Sequence, residues 1–254
     1  AGRHGAQDGS HAERERADAV SSSRAHPRGQ HAGAGRSHDR RGHEAGGRPV
    51  HHRGAAQLAR KHGVAIVGGD MSQGPVLEIH AFAVGQVPRA RAVLRSGAAD
   101  GDVIFVTGTL GGSLKEKHLS FEPRLREGVI LRRWATSMID ISDGLATDLR
   151  HLVDRSRTGA WLDATQIPVS VAAWRMKGRR SPLEHALFDG EDFELLFTVP
   201  RRRVKAFLAR WRKSSSAPCT PIGVITGRKD VIELADANRK RTVLKTSGFQ
   251  HFRN

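Results

Sequence analysis

The sequence predicts a mixed α+β protein of two domains, and three observations predict it. Apolar runs of strand length, such as 103–107 and 195–199, alternate with stretches whose apolar residues recur at helical spacing. The stretch 138–145, Met-Ile-Asp-Ile-Ser-Asp-Gly-Leu, joins one kind to the other. Composition changes abruptly at Ala55, and an Asp-Gly-Asp turn at 100–102 separates a short upstream region from a long downstream one. The expected division is 1–54, a non-native or disordered segment, then 55–99, part of an N-terminal domain, then 100–254, a C-terminal domain.

With 254 residues the chain is long enough for one large or two modest cores, yet only 38% is hydrophobic and Tyr is absent. The dilution lies in 1–54, where Val20 and Val50 are the only large aliphatics, too few to offset chain entropy. That stretch has no Lys and is dominated by Arg, Gly, Ala and His, as results when GC-rich DNA is translated out of frame. Its histidines (His4, His11, His26, His31, His38, His43, His51 and His52) lack regular spacing and acidic or cysteine partners, which argues against a metal tract. A nucleic-acid arm would want stacking aromatics, and none is present.

The formal charge of +16 and a pI near 11.3 suggest a polyanion partner only where the cations gather on one face. One cysteine, Cys219, excludes an internal disulfide and any Cys-rich zinc site. No segment approaches the roughly 18 apolar residues of a membrane span, and no apolar signal core opens the chain. The expectation is a cytoplasmic protein with no membrane and no specific nucleic-acid partner.

In order, Ala56, Leu58 and Ala59 predict a helical piece stopped by Gly63, and 64–67 reads as a buried strand running into Gly68-Gly69-Asp70. Residues 76–84 alternate like a second strand. Arg95 lies beside the bend at Gly97, suited to clamping phosphate oxygens or simply to facing water. The glycines at 108, 111 and 112 invite a phosphate-loop reading, but the Lys-Ser/Thr ending is missing. Leu125, Val129 and Ile130 predict a helix, and Leu145, Leu149, Leu152 and Val153 another that begins near Ser142. Short extended pieces follow at 160–162 and 167–169, and residues 175–180 form a basic connection.

From Pro200, a helix buries Val204, Phe207, Leu208 and Trp211 and turns Arg201, Arg202, Arg203, Lys205, Arg210, Arg212 and Lys213 outward. This is the best candidate polyanion surface, and equally an ordinary solvated face. A strand at 222–225 and a hairpin of 231–234 with 242–244 complete the expected elements.

Two acidic stretches carry the chemistry. Asp140 and Asp143 sit where a strand meets a helix N-terminus, a place that receives anions, and flanking carboxylates accept a phosphate through Mg²⁺. Helix capping by Ser142 or Asp143 is the alternative. Asp189, Glu191, Asp192 and Glu194 crowd around Gly190, a cluster that needs compensating cations, a positive ligand or free solvation.

Gly-Gly-Asp at 68–70, Leu-Arg-Ser-Gly-Ala at 94–98, Asp-Ile-Ser-Asp-Gly-Leu at 140–145, Asp-Gly-Glu-Asp-Phe-Glu-Leu-Leu-Phe at 189–197 and Gly-Phe-Gln-His-Phe at 248–252 occur in one order. That series resembles the thiamine-monophosphate kinase family, in the superfamily of aminoimidazole ribonucleotide synthetase, over 55–252. The resemblance implies a two-domain homodimeric architecture and an ATP site lined by Mg²⁺-binding aspartates. It implies that Gly69 and Asp70 meet ATP and magnesium, that Arg95 holds ATP phosphates, that Asp140 and Asp143 bind magnesium, and that Ser142 contacts the nucleotide. Asp70, Asp140 and Asp143 are then the catalytic set, Glu191 lies by the cationic thiazolium of thiamine phosphate, and Phe249 walls it. The implied reaction converts thiamine phosphate and ATP to thiamine diphosphate and ADP.

The chain departs from the family upstream. The family's further aspartate segments, Gly-Asp-Asp-Ala-like, Thr-Asp-x-x-x-Glu-Gly-Val-His-like and Asn-Leu-Ser-Asp-like, have no counterpart before Ala55, which bears on turnover more than on membership. The rival expectations are another ATP-using enzyme of the superfamily and a basic polyanion-binding protein.

Overall fold

The structure is a computed structural model and describes residues 48–70, 72, 78–115 and 117–244. The described residues divide into two units, the smaller within 48–89 and the larger within 90–244.

In the smaller unit, helix α1 (Arg48–Lys61) ends as expected at Gly63, which takes φ +65°. The strands expected at 64–67 and 76–84 are not formed among the described residues. Val67, Phe82 and Val84 are instead more than 90% exposed. The apolar alternation that marks a strand supplies no hydrogen bonds by itself; the ladder comes from a neighbour, and no described residue provides one here. Val76 and Leu77 lie outside the described residues.

The larger unit is built on a seven-stranded sheet in the order β2-β4-β1-β5-β3-β6-β7. The strands are β1 (Val103–Thr107), β2 (Ser137–Asp140), β3 (Gly159–Asp163), β4 (Leu195–Val199), β5 (Cys219–Thr226), β6 (Ile232–Ala235) and β7 (Arg241–Val243). All neighbours are antiparallel except β3 and β6, which run parallel. The mixed class and the 231–244 hairpin thus stand as the sequence suggested.

Alternation along the strands divides the core between two faces. Ile104 and Val106 of β1 and Leu196 of β4 face the α4 (Leu145–Ser156) residues Leu145, Leu149, Leu152 and Val153, together with Ala186 and Leu187 of α6 (Pro182–Phe188). Phe105, Leu195, Phe197 and Val199 face the other way, onto Phe207 and Trp211 of α7 (Val204–Ser214) and Leu131 of α3 (Leu125–Leu131). Phe105 and Phe197 stack at 5.5 Å, and both meet Phe207 edge-on. Two short helices, α2 (Lys117–Ser120) and α5 (Val171–Arg175), lie in the connections. The α7 stripe is narrower than expected: Phe207 and Trp211 are buried, Val204 and Leu208 only half so.

Because β2 and β4 pair Asp140 with Leu195, the two acidic stretches leave the same end of neighbouring strands.

Candidate nucleotide and metal site

β2 is an edge strand of the sheet, and the Leu-Arg-Ser-Gly-Ala segment lies along its free side. The Met138 amide donates to the Leu94 carbonyl at 2.9 Å, and a Cβ on Gly97, at φ +114°, would come within 2.6 Å of the Thr136 carbonyl oxygen. Ser156 of α4 ties the segment down, its hydroxyl donating to the Arg95 carbonyl at 3.2 Å and accepting from the Ala98 amide at 3.1 Å. Arg95 is thereby held beside the end of β2. It shares with Asp140 a cavity of about 410 Å³, whose lining includes Phe121, Arg124 and Phe193.

Past Asp140 the chain does not enter the helix at once. α4 begins at Leu145, three residues later than expected, with Gly144 at the cap position in a φ +98° conformation and no side-chain cap. Capping by Ser142 or Asp143 is therefore not what these residues do. The amides of Ser142 and Asp143 both donate to Asp148 Oδ2, each at 3.0 Å, so those two N–H groups are already engaged and offer nothing to a bare anion. Asp140, Ser142 and Asp143 are half-buried, while Asp148 is 1% exposed. Burial pushes the Asp148 carboxyl up to about 7, the nearby charges of Asp143 and Asp140 adding to the rise and the two amides opposing it. Oxygen atoms of Asp143 and Asp148 and a ring nitrogen of His151 all lie within 4.8 Å of one another.

The second acidic stretch clamps the first. The Glu191 amide donates to the Ser142 carbonyl and the Phe193 amide to the Ile141 carbonyl, both at 2.8 Å, while the Ile141 amide donates to the Glu194 carbonyl at 2.8 Å. Glu191 and Phe193 take positive φ values of 69° and 50° to make this weave.

Of the three ways of tolerating the four acids, compensating cations account for most of it, and they come from the chain itself. Arg124 meets Glu194 with two bonds of 2.7 Å, Thr107 Oγ1 donates to Glu194 at 2.7 Å, and Lys117 Nζ lies at 3.1 Å. Burial raises the Glu194 carboxyl, but Arg124, Thr107 and Lys117 outweigh it and hold the group below its usual range. Asp189 accepts from Arg180 at 2.8 Å and pairs with His185 Nδ1 at 2.7 Å. Asp192 accepts from the Gly111 amide and the Ser113 hydroxyl, and burial pushes it up to about 6. Glu191 alone of the four has no side-chain partner among the described residues.

Gly111 and Gly112 do not form a phosphate cradle, for a Cβ at either would come within 2.7 Å of backbone in α6 or α5, so they serve close packing. The cations of α7 lie on a solvated face. Burial pushes the Cys219 thiol up to about 12. Gly69 and Asp70 are exposed in the smaller unit. Phe249 lies outside the described residues. Asp148, Arg124 and the stacked Phe121–Phe193 pair (4.2 Å between centroids) were missed; the recurrence of Asp three residues after a Gly-Leu helix start was the one available signal.

Residues 99–235 match the family model described as AIR synthase related protein, C-terminal domain. The chain belongs to this family. The chain is 35% identical over 217 residues to the thiamine-monophosphate kinase of Buchnera aphidicola subsp. Schizaphis graminum, an alignment covering 77% of this chain and 66% of that one. It is 40% identical over 167 residues to the Escherichia coli K12 thiamine-monophosphate kinase, covering 56% of this chain and 50% of that one. The solved thiamine-monophosphate kinase of Stenotrophomonas maltophilia K279a superposes with a TM-score of 0.62 at 30% identity, over 73% of this chain and 66% of that one. The chain thus spans between half and about two thirds of the length of these relatives. Escherichia coli HypE, at 20% identity and a TM-score of 0.61 over 82% of this chain and 71% of that one, shares the fold. Among the described residues no helix is long and apolar enough to cross a membrane.

Proposed function

We propose that the chain acts in ATP-dependent phosphorylation of thiamine phosphate to thiamine diphosphate, as the names of its relatives suggest. The observation that carries the reading is the cavity shared by Arg95 and Asp140, with Ser142, two residues beyond Asp140, held by Glu191 through its carbonyl and, together with Asp143, by Asp148 through the backbone amides. Arg95 receives phosphate oxygens, Ser142 the nucleotide, and Glu191 the cationic thiazolium, for which a carboxylate without another partner is suited. Gly69 and Asp70 of the smaller unit, Phe249 and a homodimeric, cytoplasmic state belong to the same proposal.

The donor set suits Mg²⁺. Asp140 and Asp143 present hard, half-buried carboxylate oxygens, and the neighbouring amides are already engaged, so polyphosphate enters this loop with a cation rather than alone. When bound, such an ion supplies charge neutralisation and a template for in-line transfer. The acceptor phosphate is itself an anion, so the protein needs no strong general base. Its task is to bring two repelling anions into line, which Arg95 and the clamped loop serve by fixing their positions.

The test is a phosphotransfer assay with thiamine phosphate and Mg-ATP. Formation of thiamine diphosphate with equal ADP, lost in Arg95→Ala, supports the reading. ATP consumption with a different phosphate acceptor and none with thiamine phosphate assigns the chain to another reaction of the superfamily.

A further inference from the structure

Asp148 stands on the first turn of α4 and reaches backwards out of the helix. One of its oxygens accepts from the amides of both Ser142 and Asp143, each at 3.0 Å. From the opposite side, the Glu191 and Phe193 amides hold the Ser142 and Ile141 carbonyls at 2.8 Å. The peptide groups around Ser142 are therefore fixed from two directions, by a helix side chain and by the Asp-Gly-Glu-Asp loop. The turn between the loop and the helix is made at Gly144, where an added Cβ would come within 3.0 Å of the Asp189 carbonyl oxygen. A carboxylate 1% exposed and close to Asp143 and Asp140 is an unfavourable choice for fold stability alone, since a neutral cap at 142 or 143 would secure the helix end without burying charge.

We propose that Asp148 is a positioning residue: its carboxylate sets the backbone of Ser142 and Asp143 so that the Ser142 hydroxyl and the Asp143 carboxylate are presented to a cation-bound nucleotide in one orientation. This rests on the reading of Asp140 and Asp143 as magnesium ligands. It assigns Asp148 the part of a hydrogen-bond acceptor, not of a ligand or a source of field.

Asn at 148 keeps an acceptor oxygen for the two amides and drops the charge, whereas Ala removes both. The full chain, Asp148→Asn and Asp148→Ala are compared by Mn²⁺ binding, read from the paramagnetic resonance of the free ion, and by hydrogen exchange at the Ser142 and Asp143 amides. Asp148→Asn should bind Mn²⁺ within about threefold of the unaltered chain with both amides still protected; Asp148→Ala should bind about tenfold or more weakly with both exchanging fast. If the alanine variant does not fold, Asp148→Ser, whose shorter side chain cannot span both amides, takes its place with the same expectation. Equal loss of binding in the asparagine and alanine variants overturns the proposal in favour of charge or direct ligation. Equal binding in all three overturns it in favour of a purely structural residue. Absence of Mn²⁺ binding by the unaltered chain overturns the magnesium reading and this proposal together, whereas retained binding without thiamine diphosphate formation overturns only the assignment of substrate.

Discussion

Arg124 and Glu194 face each other fork to fork, Nε to Oε2 and Nη2 to Oε1, both at 2.7 Å, with the carboxylate side chain only 2% exposed. The pair ties the segment before α3 to the end of the acidic loop, and Arg124 itself lines the cavity that holds Arg95 and Asp140. Removing Arg124 leaves a buried charge with Lys117 and Thr107 as its remaining partners. Arg124→Ala should therefore destabilise the protein by about 3 kcal/mol in urea denaturation, more than Glu194→Gln, which leaves the cation able to reach water. The acid limb supplies a second reading. Glu194 has a depressed folded value, so its contribution is present above the ordinary value and lost as pH falls through the folded one. Without Arg124 the folded value rises, and the acid unfolding midpoint should move to higher pH. An unchanged midpoint would show the pair to be energetically idle.

Asp192 has the opposite sign. Burial raises it from 3.8 to about 6, so at neutral pH the buried charge costs stability, and protonation of the folded form restores it as pH falls through about 6. Comparing the chain with Asp192→Asn cancels the other acids. Relative to that variant, the unaltered protein should gain roughly 2 kcal/mol between neutral pH and about pH 4.5. A difference that stays flat across this range contradicts the assignment.

Gly190 lies against the first acidic stretch, where an added Cβ would stand 2.5 Å from the Ser142 carbonyl oxygen. Gly190→Ala must push the loops apart and stretch the Glu191–Ser142 hydrogen bond. The expectation is a loss of about 1–3 kcal/mol in stability and a larger proportional loss of ATP-analogue binding than of folded protein. If calorimetric titration finds binding intact in the folded fraction, the weave does not shape the site.

Most of the larger unit was legible because its signals are local. Leu145, Leu149, Leu152 and Val153 state their helix by spacing, and 103–107 and 195–199 state their strands by unbroken apolar runs. What could not be read is what depends on partners distant in the chain. Arg124 and Glu194 are 70 residues apart, and nothing local indicates that Glu194 is neutralised internally while Glu191 is left open. The helix starts at Leu145 and not near Ser142 because Ser142 and Asp143 give their amides to Asp148, a residue inside the helix, and the turn into it is made at Gly144 without a side-chain cap. The strands expected at 64–67 and 76–84 failed for a related reason: alternation marks which face is apolar but does not provide the neighbouring strand. Of the site residues, Arg95 and Asp140 share one cavity, Ser142 and Glu191 are joined by a backbone hydrogen bond and Asp143 is held with Ser142 by Asp148, whereas Asp70 belongs to the other unit.

Calorimetric titration with a non-hydrolysable ATP analogue, with and without Mg²⁺, most directly tests whether Arg95, Asp140 and Asp143 form a single nucleotide site. Binding should require Mg²⁺ and weaken by about tenfold or more in each of Arg95→Ala, Asp140→Asn and Asp143→Asn, with the folded state retained. Binding indifferent to Mg²⁺, or unchanged by these substitutions, would contradict it.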